Sequence, residues 1–251
     1  MSRFWVLLLF FTVAGLGYNS LEQNFTCPIC GAHWTQRVET SARPSGLRLD
    51  LRQLGDVVDP PTLPQCPQCR FVIFSETLKP ATVEKLKPFV QGQDYQLFAE
   101  KGPTYSSLAQ IQQYLKAPPR FIAQSYLRAA WQVEERPAVA SRFLITAEQQ
   151  LTRALSGMIP EEKDFPNTAL LRAEVLRRLE RWEDAAAQIH ALADRADFQD
   201  AKRQAIIEQE LDLIARRDSQ PQQLREPGDP PSATEMLPDP EVISIRKPKS
   251  E

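Results

Sequence analysis

The sequence has few of the residues and motifs on which most enzymes depend. Only two of its 251 residues are histidines, His33 and His190, so acid–base schemes that need paired imidazoles lack their parts. It contains no nucleophile elbow, phosphate-binding P-loop or H-E-x-x-H motif. Its formal net charge of -2 lacks the surplus of lysine and arginine that nucleic-acid binding requires. These absences favour a structural or interaction role over catalysis.

The composition suits a folded protein. Hydrophobic residues make up 42% of the chain and charged residues 25%, which provides enough apolar side chains for a sizeable core. These totals exclude a collagen-like repeat, wholesale disorder and a protein with several membrane spans.

The first 17 residues have the pattern of a targeting segment. Arg3 precedes an apolar run from Phe4 to Gly17, and this run is shorter than the about 20 residues that span a bilayer. Gly15 and Gly17 are small residues at a spacing typical of signal cleavage. We therefore predict a signal peptide over residues 1–17, with an uncleaved N-terminal anchor as the alternative. Either form places the body of the protein in the periplasm, free or anchored.

All four cysteines belong to two C-P-x-C units. Two such pairs can supply the four thiolates of a tetrahedral structural zinc site, with backbone N–H groups of each turn directed at the sulfurs. We therefore predict that Cys27, Cys30, Cys66 and Cys69 bind one Zn²⁺. A closed shell of four sulfurs leaves no position for a reactive water, so this zinc would be structural.

The residues next to the cysteines modify this prediction. Gly31 suits a positive φ that closes the first knuckle, whereas Arg70 at the matching position predicts a different turn in the second. His33 follows Cys30 at a ligand-like spacing. Because four sulfurs are available, we expect His33 to be a surface or supporting residue rather than a fifth ligand.

Two other states of the cysteines stay open. An exported protein meets an oxidising compartment, where paired cysteines can form disulfides. One C-x-x-C pair could also be the redox centre of a thiol–disulfide oxidoreductase. Such enzymes use a single reactive pair at a helix start, however, rather than two pairs at loop ends.

The residues around the knuckles predict a small β-rich module over 24–78. The stretch His33–Glu39 alternates as a strand does, and three leucines, Leu47, Leu49 and Leu51, repeat at period two. The apolar run Phe71–Phe74 is expected to pair with these strands. In a module of about 50 residues, a metal commonly replaces a large core.

Residues 80–217 predict a helical domain. Apolar residues at helical spacing predict its helices, and glycine and proline residues predict where they end. The predicted helices are Ala81–Val90, Gln93–Glu100, Tyr105–Leu115, one that begins near Phe121, one from about Ala138 to Leu155, Thr168–Leu179 with Asn167 as N-cap, Glu183–Arg195, and roughly Phe198–Arg216.

One helix pair has the pattern of a tetratricopeptide hairpin. Small residues at Ala173 and Ala185 let two antiparallel helices approach closely, and Trp182 fills the space near the turn. The adjacent charges Arg177-Arg178 and Glu183-Asp184 are interpreted as ordinary solvated faces.

The last stretch, residues 218–251, contains seven prolines and few apolar residues. This composition predicts a disordered tail. Its one apolar patch is Val242–Ile245.

Together these features resemble a bacterial family known as domain of unknown function 2225. The resemblance rests on Cys27–Gly31, Cys66–Cys69, Tyr126–Trp131 and the hairpin Leu170–Leu192, and it covers roughly residues 24–216. It implies two cysteine knuckles followed by tetratricopeptide-like helices. This chain departs from the family in its export-type segment and in the second knuckle, where an arginine replaces the usual glycine. The family brings no established activity.

We therefore expect an α+β, mostly α fold: a small zinc-ribbon-like β module, tetratricopeptide-like antiparallel helix hairpins and a disordered C-terminal tail. The predicted function is that of an exported non-enzymatic scaffold or adaptor whose helical repeats bind a protein or peptide partner. No nucleic-acid partner is expected, and membrane contact only through an uncleaved N-terminal segment. The alternative is a periplasmic thiol–disulfide oxidoreductase that uses a C-x-x-C pair.

Overall fold

The computed structural model describes residues 20–39, 44–56, 58–75 and 77–225. In this part of the chain, a small strand-rich region precedes eight α-helices, which confirms a mostly helical α+β fold. None of the described helices combines the length and apolar composition needed to cross a bilayer. The predicted targeting segment over 1–17 and the apolar patch Val242–Ile245 lie outside the described residues.

The strands form two antiparallel pairs. Strand β1, Ser20–Thr26, pairs with β2, His33–Glu39, and strand β3, Pro44–Leu47, pairs with β4, Gln53–Gly55. The prediction of β2 is confirmed at both ends. Strand β1 escaped prediction because most of its side chains are exposed, so its sequence lacks the apolar alternation of a half-buried strand.

The period-two pattern of the three leucines does not continue as one strand. Leu47 ends β3 and Leu49 is buried, but Leu51 is 49% exposed and has a positive φ of 72°. The Leu51 N–H bonds back to the Arg48 carbonyl at 2.9 Å, which closes a turn. The prediction of a shared strand face is therefore wrong for Leu51.

The apolar run that follows the second knuckle pairs locally. Val72 forms an isolated bridge with Gln65, and the N–H of Ile73 donates to the carbonyl of Pro64 at 2.8 Å. The run therefore pairs with the segment that enters its own knuckle, instead of with the earlier strands as predicted. Phe71 and Val72 have no exposed surface, so this short pairing contributes to the core.

The helices follow the predicted order, with ends that differ by a few residues. They are α1 Pro80–Gln91, α2 Gln93–Lys101, α3 Thr104–Tyr114, α4 Pro119–Trp131, α5 Pro137–Ser156, α6 Phe165–Arg178, α7 Trp182–Ala193 and α8 Ala201–Ala215, with a 3₁₀ turn at Ala196–Phe198 before α8.

Helix α6 begins earlier than predicted. It starts at Phe165 after Asp164, so Asn167 lies inside its first turn and is not the N-cap. Pro166 suits this position because the first N–H groups of a helix have no intrahelical partner. The hydroxyl of Thr168 donates to the Asp164 carbonyl at 2.7 Å.

The main helix–helix contacts all join consecutive helices, from α1 with α2 to α7 with α8. In the predicted hairpin, Ala173 of α6 and Ala185 of α7 are fully buried in one cluster, against which Trp182 packs. Phe143 of α5 packs against three core clusters, those of Leu108, Leu144 and Ile122, and so connects them.

Residues 218–225, here called the C-terminal strap, lie against the fold. The Leu49 N–H donates to the Gln222 carbonyl at 3.0 Å, and the Leu224 N–H donates to the Leu47 carbonyl at 2.8 Å. The strap thus runs beside β3. The predicted start of the disordered tail at residue 218 is wrong for this stretch, because its backbone is paired.

Candidate metal centre

The two C-P-x-C units fold into turns with the same backbone bonds. In the first, the Cys27 N–H donates to Ala32 at 2.8 Å and the Cys27 carbonyl accepts from Gly31 at 2.9 Å. In the second, the Cys66 N–H donates to Phe71 at 2.8 Å and the Cys66 carbonyl accepts from Arg70 at 2.9 Å. Each unit is therefore a closed knuckle.

The two knuckles also share a left-handed residue at the same place. Gly31 has a φ of 75° and Arg70 a φ of 58°. The prediction that Arg70 imposes a different turn is wrong, because the pattern of backbone bonds fixes this conformation whichever residue occupies it. An arginine at positive φ carries a backbone cost that glycine avoids.

The knuckles bring the four cysteine sulfurs together, as the sequence predicted. Their sulfur atoms all lie within 4.8 Å of one another, and none of the four cysteines forms a disulfide. Across the knuckles, Cys27 Sγ lies 3.5 Å from Cys69 Sγ, and Cys30 Sγ lies 3.6 Å from Cys66 Sγ. Four sulfurs bound tetrahedrally to zinc at about 2.3 Å are about 3.8 Å apart, so the observed cluster has the size of such a site.

Backbone N–H groups stabilise negative charge on the sulfurs. The hydrogen bond between the Cys27 and Cys69 sulfurs, with the N–H groups of Cys30 and Ile29, lowers the pKa of Cys27 to about 5 even though burial opposes ionisation. The same hydrogen bond, together with burial, raises the pKa of Cys69. Burial raises the pKa of Cys66. The predicted orientation of backbone amides towards the sulfurs is present in both knuckles.

The donor set fits a soft, tetrahedral divalent metal. Cys27, Cys66 and Cys69 are buried, while Cys30 is exposed and gives the cluster one face towards solvent. Thiolates favour zinc among the common divalent ions. His33 is exposed and its Nδ1 lies 2.9 Å from the hydroxyl oxygen of Thr26, in a hydrogen bond away from the cluster.

Side chains of α2 form hydrogen bonds with backbone carbonyls of the second knuckle. The side-chain amide of Gln96 donates to the Cys69 carbonyl at 2.7 Å, and the hydroxyl of Tyr95 donates to the Arg70 carbonyl at 3.1 Å. The amide of Gln65 also donates to the Arg70 carbonyl, at 3.2 Å. The three buried cysteines share a core cluster with residues of α1, α2 and α3, so the knuckles and these helices have a common core.

A second polar cluster, which the sequence did not reveal, fixes the segment between the knuckles. Asp50 has no exposed surface and accepts hydrogen bonds from Arg48 at 2.5 and 3.0 Å, Arg178 at 2.8 Å and Trp131 at 2.9 Å. Glu134 accepts from Arg48 and Arg178 at 2.8 and 3.3 Å. Burial opposes ionisation of Glu134, but its bonds with Arg48 outweigh burial and lower its pKa.

A third cluster binds the C-terminal strap to the helices. Arg177 is fully buried and donates to Glu174 at 2.6 Å and to Glu210 at 3.2 Å. It also donates to the backbone carbonyls of Asp218 and, at 3.1 Å, Gln220. The interpretation of Arg177-Arg178 as a solvated face is therefore wrong: both guanidinium groups are buried among carboxylates.

The third cluster has two carboxylates for one arginine. Burial, together with the neighbouring charge of Glu210, raises the pKa of Glu174 well above its ordinary value. Burial also raises the pKa of Glu210 to about 6, although Arg177 partly offsets this effect. Glu174 Oε1 is buried without a hydrogen-bond partner, which agrees with a pair that prefers to keep a proton.

No protein-family model matches this chain, and no curated protein or solved structure matches it either. The resemblance to domain of unknown function 2225 therefore stays a prediction from its knuckles and helix order. The geometry itself establishes a compact cluster of four cysteines that could hold one metal ion.

Proposed function

We propose that the chain is a non-enzymatic scaffold in which a structural Zn²⁺ fixes the two knuckles and the helices provide a surface that binds a protein or peptide partner. One observation carries the metal half of this proposal. The sulfurs of Cys27, Cys30, Cys66 and Cys69 lie within 4.8 Å of one another, and three of the four residues are buried. A bound zinc would supply four metal–sulfur bonds that cross-link segments far apart in the sequence.

A bound divalent ion would also offset the cost of ionising the buried cysteines. Backbone amides at Cys27 and Cys66 are arranged to stabilise thiolate sulfur. Several thiolates this close together repel one another strongly unless a cation lies between them. A divalent ion at the centre removes this repulsion, and the surrounding N–H groups stabilise the negative charge that remains on the sulfurs.

The arrangement of the thiols argues against the oxidoreductase alternative. Cys27 has a thiol of lowered pKa but is only 1% exposed, whereas the exposed cysteine is Cys30. A redox nucleophile needs both a low pKa and access to its substrate. Both C-x-x-C units also lie in turns and not at the start of a helix.

The scaffold half of the proposal is supported by the helix packing. Because the main contacts join consecutive helices, each helix pair is stabilised chiefly by its neighbours, as in helical-repeat proteins. Such arrays present long faces that suit protein partners. We place this scaffold in the periplasm, free or anchored, from the targeting pattern of the first 17 residues.

Metal analysis of the full chain tests the metal half. We expect one zinc per chain, loss of the metal in Cys66→Ser, and no reduction of insulin disulfides. His33→Ala is the matched control, since His33 is near the knuckle but exposed, and it should keep one zinc. A metal-free protein that reduces insulin and needs Cys27 for this activity would establish the alternative instead.

Co-purification from the envelope fraction tests the scaffold half. Charge reversal at Glu183 and Asp184, on the exposed face of α7, should remove bound proteins that wild type retains. Reversal at Glu22 and Arg37 on the β1–β2 hairpin serves as the control. If both variants and wild type carry the same proteins, binding through this helical face is wrong.

A further inference from the structure

We propose that the metal site controls the junction between α1 and α2, and that Gln96 is the positioning residue that links them. This inference rests on the proposed structural metal. It assigns to the centre a role beyond its own module: occupancy of the cysteine site would set the packing of the first helices.

Gln96 makes two hydrogen bonds with one side-chain amide. Its Nε2 donates to the Cys69 carbonyl at 2.7 Å and to the Val90 carbonyl at 2.6 Å. Cys69 belongs to the second knuckle, and Val90 lies in the last turn of α1 and is fully buried. A single NH₂ group thus joins a predicted metal ligand to the end of a helix.

The junction is short, and apart from Gln96 it is defined by buried apolar contacts such as that of the Phe89 and Tyr95 rings. Helix α1 ends at Gln91 and α2 begins at Gln93, so Gly92 alone separates them. The N-cap residue of α2 is Gly92, so no side chain caps the start of this helix. The direction of α2 relative to α1 therefore depends on side-chain contacts such as those of Gln96.

Two further residues, Tyr95 and Gln65, connect the same knuckle to α2. Tyr95, which is 3% exposed, donates its hydroxyl to the Arg70 carbonyl at 3.1 Å. Gln65 donates to the Arg70 carbonyl at 3.2 Å and reaches the Ala99 carbonyl near the end of α2 at 3.5 Å. The bonds from Tyr95 and Gln65 to Arg70 use a knuckle carbonyl, whose position depends on how tightly the turn is closed.

Removal of the metal would loosen this turn. Without the central cation, the Cys66–Cys69 turn loses the metal–sulfur bonds that hold its sulfurs inward. The Cys69 and Arg70 carbonyls then move, and the donors of Gln96 and Tyr95 cannot keep their partners on both sides. Because Tyr95 is buried and Gln96 is partly buried, the unpaired groups favour a rearranged or locally open α1–α2 junction.

Hydrogen exchange of the full chain, zinc-loaded and after chelation, measures this coupling. We expect chelation to accelerate exchange of amides in residues 80–115 by at least about 10-fold, a shift consistent with the opening of a local unit. Residues 182–215, which form α7 and α8 with their connection, are the internal reference and should change little.

Variants of Gln96 separate coupling from general stability. Gln96→Ala should still bind one zinc but with about 10-fold weaker affinity in a chelator competition, as for other residues that support metal ligands. Its cobalt-substituted form should have an altered sulfur-to-metal absorption band. Gln132→Ala is the matched control. The side-chain amide of Gln132 donates to the Thr104 hydroxyl and accepts from the Tyr105 N–H at the start of α3, so its bonds are not to the knuckle.

A milder variant covers the case in which Gln96→Ala does not fold. Tyr95→Phe removes only the hydroxyl donor to Arg70 and keeps the ring that packs on Phe89, so it should fold and bind zinc more weakly than wild type. Unchanged zinc affinity and cobalt absorption in both variants, or equal exchange with and without metal, would overturn the coupling while the metal site stands. A wild-type chain that binds no zinc would overturn both proposals.

Discussion

The indole Nε1 of Trp131 donates a 2.9 Å hydrogen bond to Asp50, a carboxylate with no exposed surface. Trp131 ends α4, and Asp50 lies in the segment between the two knuckles. Arg48 and Arg178 bind the same carboxylate. The segment between the knuckles is therefore attached to the helices through one buried charge and its donors.

Replacement of Asp50 should be strongly destabilising. Asp50→Ala leaves Arg48 and Arg178 with Glu134 as their one remaining shared carboxylate, and loss of one partner of a buried ion pair typically costs about 3–5 kcal/mol. Urea denaturation at a fixed free zinc concentration measures the free energy of unfolding. Asp184→Ala is the control, because its ion pair with Arg181 is solvent-exposed and such pairs contribute less than about 1 kcal/mol. Equal effects of the two substitutions would contradict the assigned role of Asp50.

The buried carboxylate pair makes a prediction about pH. The raised pKa values of Glu174 and Glu210 mean that the folded state holds protons which the unfolded state has already released. These groups therefore stabilise the fold at low pH, and their contribution falls as the pH rises from the unfolded pKa, about 4.3, through the folded values. Glu174→Gln removes one titrating group, so its stability relative to wild type should increase from pH 5 to pH 8.

The size of this gain follows from linkage. Each unit by which the folded pKa exceeds the unfolded one corresponds to about 1.4 kcal/mol. The difference between wild type and Glu174→Gln in urea denaturation across this pH range gives the value directly. Glu183→Gln, on the exposed face of α7, is the control and should change the free energy of unfolding by less than about 0.5 kcal/mol. If the difference in free energy of unfolding between wild type and Glu174→Gln does not vary with pH, Glu174 and Glu210 do not keep a proton in the folded state.

Both knuckles have a residue of positive φ at the same place, so adding a side chain there should destabilise the fold and removing one should stabilise it. Gly31→Ala places a side chain at positive φ, and since nothing lies within 4 Å of the added Cβ, the cost is conformational and about 1 kcal/mol. Arg70→Gly relieves the same cost in the second knuckle and should stabilise by up to about 1 kcal/mol. Urea denaturation at fixed free zinc decides both signs. A destabilised Arg70→Gly would show that its side chain contributes more than its backbone costs.

The C-terminal strap should be required for full stability. A chain truncated after Arg217 loses the strap pairing beside β3 and leaves Arg177 without two carbonyl partners. Because each buried group left unpaired costs about 1–3 kcal/mol, we expect a loss of at least about 3 kcal/mol. A chain truncated after Arg225 is the control and should unfold as the full chain does. If both truncations behave alike in thermal and urea unfolding, the strap is dispensable.

Much of the candidate site was predictable because it depends on local sequence. The C-P-x-C turns close through bonds that span only a few residues, so the cysteine pattern indicated both knuckles and their shared cluster. Helix order was also predictable, since glycine and proline pairs mark most boundaries. The turn at Arg70 was not, because backbone bonds overrode the usual preference for glycine.

The buried charges could not be predicted from local sequence. Arg178 lies 128 residues from Asp50, and Arg177 lies 33 residues from Glu210, so neither partner is visible in a helical window. A pair such as Glu174 and Arg177, three residues apart, looks the same on an exposed or a buried face. The alternation of Arg48, Leu49, Asp50, Leu51 and Arg52 was the one available signal of a polar anchor.

Native mass spectrometry of the full chain, purified without added metal or reductant, tests the central claim most directly. We expect the mass of the chain plus one zinc, with four cysteines that react with a thiol reagent only after chelation. A metal-free mass reduced by four hydrogens, the signature of two disulfides, would contradict the account.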